Sequence, residues 1–236
     1  MTAAGVLKFL YQNEKCYIEE IDRIIARPDL VRIIPDDLDN EKSGWIYLQG
    51  EPGSADWNMA RLIGDLSLAM DWMDRLPQLE LQLLCPADCL LSSSWKKIGS
   101  IHWYESLSQV DSHDNSSATE EVCAQFRLKP DLVSYTAENK DSGFAIYLNS
   151  ESGMQGYVKC IHSTENYYEF YIELRPEMRG KGLGTALLQM AIDETHRRNK
   201  TLIYSVACDN VASIRIAQKA GLTSFMLLNR YLIASS

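Results

Sequence analysis

Residues 173–188 read ELRPEMRGKGLGTALL, and this stretch decides the fold. A pattern typical of a β-strand ends at Leu174, and Pro176 prevents the hydrogen-bond ladder of that strand from continuing. Glycines follow at positions 180, 182 and 184, and helix-forming residues begin at Thr185. The stretch therefore predicts a strand, a glycine loop and a helix in immediate succession.

The predicted loop has the properties of an anion-binding site. Glycine lets the backbone approach a ligand closely, and the first N–H groups of a helix have no intrahelical acceptor and carry partial positive charge. Arg179 and Lys181 add two full charges, which suit a diphosphate better than a single carboxylate. A triphosphatase phosphate loop and a dinucleotide fingerprint both fail, the latter because Thr185 stands where a glycine is needed. A glycine-rich helix start without a ligand remains the alternative.

Two motifs in this half of the chain carry a family resemblance. Arg179, Gly182 and Gly184 fit the pattern R-x-x-G-x-G, which resembles the pyrophosphate motif of the GNAT superfamily of acyl-CoA-dependent N-acetyltransferases. Residues 205–222 read SVACDNVASIRIAQKAGL and resemble the second motif of that superfamily, a strand followed by Asn210 and a helix. The resemblance covers residues 143–234, about half of the chain.

The coarse pattern around the motifs agrees with that family. Strands are predicted at residues 144–148, 156–161, 167–174, 202–207 and 222–233, with a turn at 150–153 and helices at 184–198 and 211–220. The resemblance implies an α/β (α+β) fold with a GNAT-like mixed, mostly antiparallel twisted sheet flanked by helices.

The first half of the chain shows a similar order of elements. Helices are predicted at 6–11 and 18–25, then a strand at 44–49, a helix at 57–75, a strand at 79–85, a helix at 88–97 and a strand at 100–107. We interpret this order as a duplication with a degenerate first copy, although chance similarity of short patterns is the alternative. The loop aligned with RGKGLG is then WNMARL at 57–62, which has no glycine and is not expected to bind coenzyme A.

A small, polar stretch at residues 112–119, SHDNSSAT, predicts a linker between the halves. The expected domains are therefore residues 1–115, a degenerate GNAT-like domain lacking the pyrophosphate loop, and residues 116–236, a GNAT catalytic domain binding acetyl-CoA. This assignment follows the resemblance in tandem members of the superfamily.

Composition excludes several classes of partner and cofactor. The net charge of -9 argues against nucleic acid and anionic membranes and is compatible with a cationic small substrate. The chain has no apolar run of ~20 residues and no signal-peptide pattern at its start, so a cytoplasmic location is expected. The six cysteines are interpreted as buried thiols, and Cys85 and Cys89 have no second ligand pair, so no metal is expected.

The resemblance implies where acetyl-CoA (CoA) would bind as co-substrate. The strand that ends at Leu174 would splay from the strand at 202–207, and its exposed backbone would bind the pantetheine arm, with Asn210 on the other side. The cofactor-binding residues implied are Ile172, Glu173, Leu174, Arg179, Gly180, Lys181, Gly182, Leu183, Gly184, Thr185, Asn210 and Ser213.

The implied reaction is transfer of an acetyl group from acetyl-CoA to a primary amine of a small molecule or peptide by direct attack. A primary alkylamine has a pKa near ~10 and must lose a proton first, and the candidate bases Glu169 and Glu173 share one face of their strand. Many relatives protonate the departing thiolate with a tyrosine two positions before the motif lysine, where this chain has Ala217. The substitutes considered are Tyr204, which is favoured, and Cys208, Ser213, Tyr231 or water.

Other functions stay open on the sequence alone. Because Ala217 replaces the expected tyrosine, a non-catalytic acyl-CoA-binding sensor or partner module is one alternative, and transfer of a longer acyl chain is another. The expected partner is a small-molecule or peptide amine. A homodimer is possible, since the apolar final strand at 222–233 could pair across a dimer or within the chain.

Overall fold

The computed structural model describes residues 3–36, 43–50, 58–77, 81–89, 95–107, 133–137 and 143–233. The predicted linker at 112–119 and the boundary between residues 115 and 116 lie outside these ranges, so the two-domain assignment stays a prediction. The chain divides into two compact units. Unit 1 comprises Met1–His102, Ala207–Asp209 and Met226–Ser236, and unit 2 comprises Trp103–Val206 and Asn210–Phe225.

The elements of the described ranges are numbered here in chain order. The helices are α1 (Ala3–Tyr11), α2 (Ile18–Ala26), α3 (Leu66–Ala69), α4 (Leu183–Arg197) and α5 (Val211–Lys219). The strands are β1 (Val31–Ile34), β2 (Gly44–Leu48), β3 (Met59–Ile63), β4 (Leu81–Pro86), β5 (Lys96–Glu105), β6 (Val133–Ala137), β7 (Phe144–Ser150), β8 (Gly153–Ser163), β9 (Tyr167–Leu174), β10 (Thr201–Ala207) and β11 (Thr223–Ile233). Short 3-10 helices lie at Glu14–Cys16, Pro28–Leu30, Met70–Arg75 and Pro176–Met178.

Unit 1 is a sheet with helices on both faces. Its strands lie in the order β1-β2-β3-β4-β11-β5, and β3 is parallel to β4 while β1–β2, β2–β3 and β4–β11 are antiparallel. Ile46 and Leu48 form one core with residues of α1 and α2. Trp45 and Leu83 form another core on the side of α3, where the Trp45 indole donates to the Ala69 carbonyl at 2.8 Å.

Unit 2 is built around the strand order β10-β9-β8-β7-β6. The pairs from β6 to β9 are antiparallel, and β9 and β10 are parallel. Helix α4 joins these two strands and buries Ala186, Leu187 and Ala191 completely against the core of the unit. The helix ends where Asn199 adopts a left-handed φ of 58°. The predicted mixed, mostly antiparallel sheet with flanking helices is confirmed.

The helix predicted at residues 57–75 is wrong. Met59–Ile63 form strand β3, and Gly64 then turns the chain, with a left-handed φ of 70°, into α3. Strong helix formers led to the prediction, but β3 lies between β2 and β4 and is buried on both faces, so it lacks the alternation of a half-exposed strand. Residues 58–62 therefore do not occupy the place of the glycine loop, while Trp57 lies outside the described residues.

The helix predicted at 88–97 also needs correction at its end. Lys96 and Lys97 open strand β5, and residues 90–94 lie outside the described ranges. The predicted final strand pairs within the chain, from Leu228 opposite Pro86 to Ile233 opposite Leu81, and β5 lies on its other edge. The described pairs of β11 are thus made within the chain, and a homodimer stays a prediction.

Two further properties bear on the predicted exclusions. No helix within the described ranges is both long and apolar enough to cross a membrane. The same residues contain no group of three or more His, Cys, Asp or Glu side chains placed to hold a metal ion. Burial raises the pKa of the Cys85 thiol to about 12, so this thiol stays protonated at neutral pH.

The close contact of β8 with β9 gives a test of the fold. A Cβ at Gly156 would lie 2.4 Å from Leu174 Cδ2 and 2.7 Å from the Glu173 carbonyl oxygen, and the backbone oxygen cannot move without breaking the strand pair. Gly156→Ala should lower the free energy of unfolding by about 1–3 kcal/mol in urea denaturation. Glu151→Ala, on the exposed turn of the same hairpin, is the control and should change it by less than about 0.5 kcal/mol.

Candidate functional site

Strands β9 and β10 separate part way along their length. Their register pairs Tyr167 with Thr201, Tyr168 with Leu202 and Glu169 with Ile203, and no later pair of these two fully described strands follows. Strand β9 nevertheless continues to Leu174, and on its other edge it stays paired with β8 to that end. The predicted splay is therefore observed, and it opens one edge of β9 to a ligand that can bind as an added strand does.

The glycine loop lies at the open end of this splay. Gly180 and Gly182 have left-handed φ values of 73° and 83°, which residues with a side chain rarely adopt. Counting from Gly180, the first backbone N–H with a backbone acceptor is that of Ala186, which donates to the Gly182 carbonyl at 3.1 Å. Within the described residues, the amides from Gly180 to Thr185 have no backbone acceptor. Such a run of free N–H groups at a helix start fits a diphosphate.

The third glycine of the loop has a packing role. A Cβ at Gly184 would lie 2.6 Å from Ile216 Cδ1, so this glycine permits the approach of α4 to α5. The neighbouring side chains of Leu183 and Thr185 are buried. Because Gly184 has no side chain and those of Leu183 and Thr185 are buried, the backbone groups are what these positions would offer a ligand, and their contact with a coenzyme stays a prediction.

The two basic residues of the loop are exposed. Arg179 Nε donates to the Leu174 carbonyl at 3.1 Å, which ties the loop back to the end of β9. The guanidinium keeps further donors, and Lys181 keeps its ammonium, so both remain suited to a phosphate. Because the Leu174 carbonyl already accepts this bond, we expect the Leu174 contribution to a pantetheine arm to come mainly from its N–H.

Asn210 and Ser213 are joined at the start of α5. Asn210 Oδ1 accepts a hydrogen bond from the Ser213 N–H at 3.1 Å and so caps the helix. Ser213 also lowers the pKa of Tyr204, against the larger effect of burial. Capping the helix is a structural role for Asn210. Contact of Asn210 or Ser213 with a coenzyme stays a prediction.

The two candidate bases differ in environment. Glu169 is the last residue of β9 that pairs with β10, is 3% exposed, and accepts a hydrogen bond from Ser205 Oγ at 2.6 Å. Glu173 is exposed and accepts a hydrogen bond from the Tyr157 hydroxyl at 2.7 Å. This bond, followed by burial, raises the pKa of Tyr157 to about 12. Glu169 thus lies at the apex of the splay, whereas Glu173 lies four residues closer to the glycine loop.

The candidates for proton donor fall into two groups. Tyr204 and Ser213 belong to unit 2, and burial raises the pKa of Tyr204, which keeps its phenol protonated at neutral pH. Cys208 and Tyr231 belong to unit 1, where the Tyr231 hydroxyl accepts a hydrogen bond from Asn229 at 3.3 Å. Ala217 is fully buried in the core of unit 2. Tyr204 is therefore the candidate best placed near the splay.

Three neighbours of the candidate bases escaped prediction. They are Ser205, which donates to Glu169, Tyr157, which donates to Glu173, and His162, which pairs with Glu169 across β8 and β9. His162 follows a bulge at Ile161. Regular alternation along β8 from the residues before the bulge would therefore place His162 on the wrong face of the sheet. The sequence pattern predicted the strands that carry these three residues. It could not predict their contacts with Glu169 and Glu173, because those contacts depend on the strand register.

A strand splay with a glycine loop at its open end defines an acyl-coenzyme A binding fold. The family model for the acetyltransferase (GNAT) domain matches residues 95–223, and the chain belongs to this family. GNAT domains are acyltransferases that use an acyl-CoA as co-substrate. No curated protein sequence matches the chain.

Solved structures of the same fold cover most of the chain. A GCN5-related N-acetyltransferase from Kribbella flavida has a TM-score of 0.56 at 10% identity and covers 89% of this chain and 92% of its own. An acetyltransferase from the GNAT family of Colwellia psychrerythraea has a TM-score of 0.51 at 14% identity, with 96% and 97% covered. A tandem GNAT protein from the clavulanic acid biosynthesis pathway has a TM-score of 0.52 at 10% identity, with 81% and 78% covered. At such identities the likeness shows the fold alone.

The loop geometry predicts how coenzyme binding is lost. Arg179→Glu combined with Gly182→Trp reverses a charge and covers the free amides, so the Kd for CoA in calorimetry should rise at least about 30-fold. Arg32→Glu, the same charge change on exposed β1, is the control and should leave the Kd unchanged. Thermal melting shows whether the double variant folds, and a folded variant with unchanged affinity would contradict the assignment of the loop.

Proposed function

We propose that unit 2 is an N-acetyltransferase that moves the acetyl group of acetyl-CoA to a primary amine of a small molecule or peptide. The observation that carries this proposal is the row of amides without backbone acceptors, Gly180 to Thr185, at the open end of the β9–β10 splay. A diphosphate on these amides would direct the thioester into the splay, towards Glu169.

Glu169 has the position expected of the general base. It accepts a proton from the acceptor ammonium, directly or through one water, and the free amine then attacks the thioester carbonyl. The C–N bond forms and the C–S bond breaks, the amide nitrogen loses its second proton to water, and Glu169 returns its own proton to solvent. Ser205 holds the Glu169 carboxylate in place through its hydrogen bond of 2.6 Å, and an exposed backbone N–H of β9 polarises the carbonyl.

Tyr204 takes the role that a helix tyrosine has in many relatives. Its phenol is kept protonated by burial, and it passes its proton to the departing sulfur. Burial of the neutral phenol costs little, whereas burial of a phenolate costs much more. Water then restores the proton to Tyr204.

The first prediction for this mechanism concerns the two carboxylates. Glu169→Gln keeps the shape of the side chain and removes its basicity, so kcat for thiol release with an amine acceptor should fall about 100-fold or more. Glu173→Gln should have a smaller effect on kcat because Glu173 is exposed and lies away from the apex. The reverse order of effects would move the base to Glu173.

The second prediction concerns the proton donor. Tyr204→Phe removes only the hydroxyl and should lower kcat about 10-fold, with CoA affinity unchanged, because a thiolate can also take a proton from water. The matched control is Tyr231→Phe in unit 1, which should leave kcat unchanged. Equal kcat values for Tyr204→Phe and wild type would exclude Tyr204 as the acid.

One observation favours a second candidate function. Ala217 offers no hydroxyl and is fully buried, which suits a module that binds acyl-CoA without transferring the acyl group. Tight CoA binding in calorimetry without thiol release across a broad amine panel would support this candidate. The same panel with acyl-CoAs of increasing length tests transfer of a longer chain.

A further inference from the structure

Three tyrosines form a row across neighbouring strands of unit 2. Tyr147 on β7 pairs with Tyr157 on β8, and Tyr157 pairs with Glu173 on β9. The Tyr147 and Tyr157 ring centroids lie 6.0 Å apart with planes at 44°, and those of Tyr157 and Tyr171 lie 6.3 Å apart at 49°. Tyr171 is 49% exposed. This tyrosine row is a large aromatic surface that the core of unit 2 does not use.

The tyrosine row shares its sheet face with both candidate bases. Residues two apart on a strand point to the same side, so Glu169, Tyr171 and Glu173 face the same way. Aromatic ring faces carry partial negative charge, and Glu173 adds a carboxylate that also fixes the Tyr157 hydroxyl at 2.7 Å. The combination of ring faces and carboxylates is the one that binds organic cations.

Lys159 is the opposing charge on this face. It pairs with Tyr171 across β8 and β9, it is exposed, and the described residues give it no salt bridge. A ligand with an anionic group would use Lys159, whereas a ligand with a second cation would be repelled by it. The charge of the ligand therefore determines the sign of the effect when Lys159 is neutralised.

We propose that the tyrosine row is a second subsite of the acceptor, which binds a cationic group beyond the reacting amine. Tyr171 lies two residues from Glu169, a distance of roughly 7 Å along the strand. The acceptor class is accordingly a diamine, with one amine at Glu169 and the other ammonium over Tyr171 and beside Glu173. The reacting end of this assignment rests on the proposed function, and the binding subsite does not.

Lys159 is outnumbered by two carboxylates on this face, which favours the cationic ligand. Glu169 and Glu173 both lie on β9, and each accepts a hydrogen bond from a hydroxyl, that of Ser205 and that of Tyr157. A single exposed lysine on a flexible stem can turn away from the sheet, and its charge is screened by solvent. An ammonium held between a ring face and a carboxylate is therefore favoured over an anion at Lys159.

Calorimetry with 1,5-diaminopentane and pentylamine tests this subsite without turnover. The two probes share one chain length and differ by one charge, so the diamine should bind the wild-type chain about 10-fold more tightly. Tyr171→Leu should weaken binding of the diamine about 2- to 30-fold and leave pentylamine unchanged. Tyr11→Leu, at the exposed Tyr11 of α1 in unit 1, is the matched control and should leave both probes unchanged.

The variant Lys159→Gln should change the affinity for the diamine in the opposite direction to Tyr171→Leu. Removing the like charge should tighten binding of the diamine about 2- to 10-fold, with an effect that shrinks as salt is added. Weaker binding in this variant would overturn the diamine assignment, because it would mean that Lys159 holds part of the ligand. Equal affinity of both probes, or a diamine affinity unaffected by Tyr171→Leu, would also overturn it.

The outcomes separate the subsite from the proposed reaction. If the diamine binds through Tyr171 but acetyl-CoA yields no thiol release with either probe, the subsite is supported and the proposed transferase function fails. If pentylamine is acetylated as fast as the diamine and binds as tightly, transfer is supported and the subsite is overturned. Thermal melting of each variant shows that a loss of binding is not a loss of fold.

Discussion

The separation of β9 from β10 after Glu169 is the constraint on which the site depends. Two parallel strands that paired to their ends would satisfy each other's backbone groups and leave a ligand no edge. Because they part, β9 offers free backbone groups along one edge, the glycine loop offers free amides at its end, and Glu169 lies where the gap closes. Helix α4 joins the two strands, and Gly184 lets it pack closely against Ile216 of α5. The proposed site thus lies where regular strand pairing stops.

Unit 1 has the same order of elements. At the end of its parallel strand pair and at the start of its helix, side chains of unit 1 occupy the positions that unit 2 leaves open. Strand β3 pairs with β4 as far as Arg61 opposite Leu84, and Arg61 thus holds the place that Glu169 holds in unit 2. Arg61 is 3% exposed, donates to the Cys16 carbonyl at 3.1 Å and lies 5.4 Å from the Tyr17 ring centroid. A guanidinium cannot take a proton from an amine. At the start of α3, the Asp65 carboxylate accepts the Ser67 N–H at 2.7 Å, where α4 has Gly182 and no side-chain cap. An anion supplied by the chain therefore occupies the helix start.

The sequence predicted the elements of unit 2 and few of their contacts. Strand β9 has the predicted bounds, because Pro176 and the glycines mark its end on any reading of the pattern. The helix predicted at 57–75 failed because β3 is buried on both faces and its residues favour helices when exposed. The bond from Ser205 to Glu169 depends on a parallel register set by α4, and the His162 pairing depends on a bulge. Local patterns encode strands and turns, whereas register is a property of the packed sheet.

The proton donor illustrates how such a fold tolerates loss of a family residue. Ala217 packs without exposure into the core of unit 2, so α5 presents a methyl group where many relatives present a phenol. Tyr204 lies on β10, and Ser213 in the first turn of α5 lowers its pKa against the larger effect of burial. In the proposed reaction, a hydroxyl on β10 would supply the proton that many relatives take from a helix. A phenol that gives up this proton beside a helix N-terminus gains from the partial positive charge there. The proposed acid thus lies on a different element of secondary structure, while the proton transfer it performs stays the same.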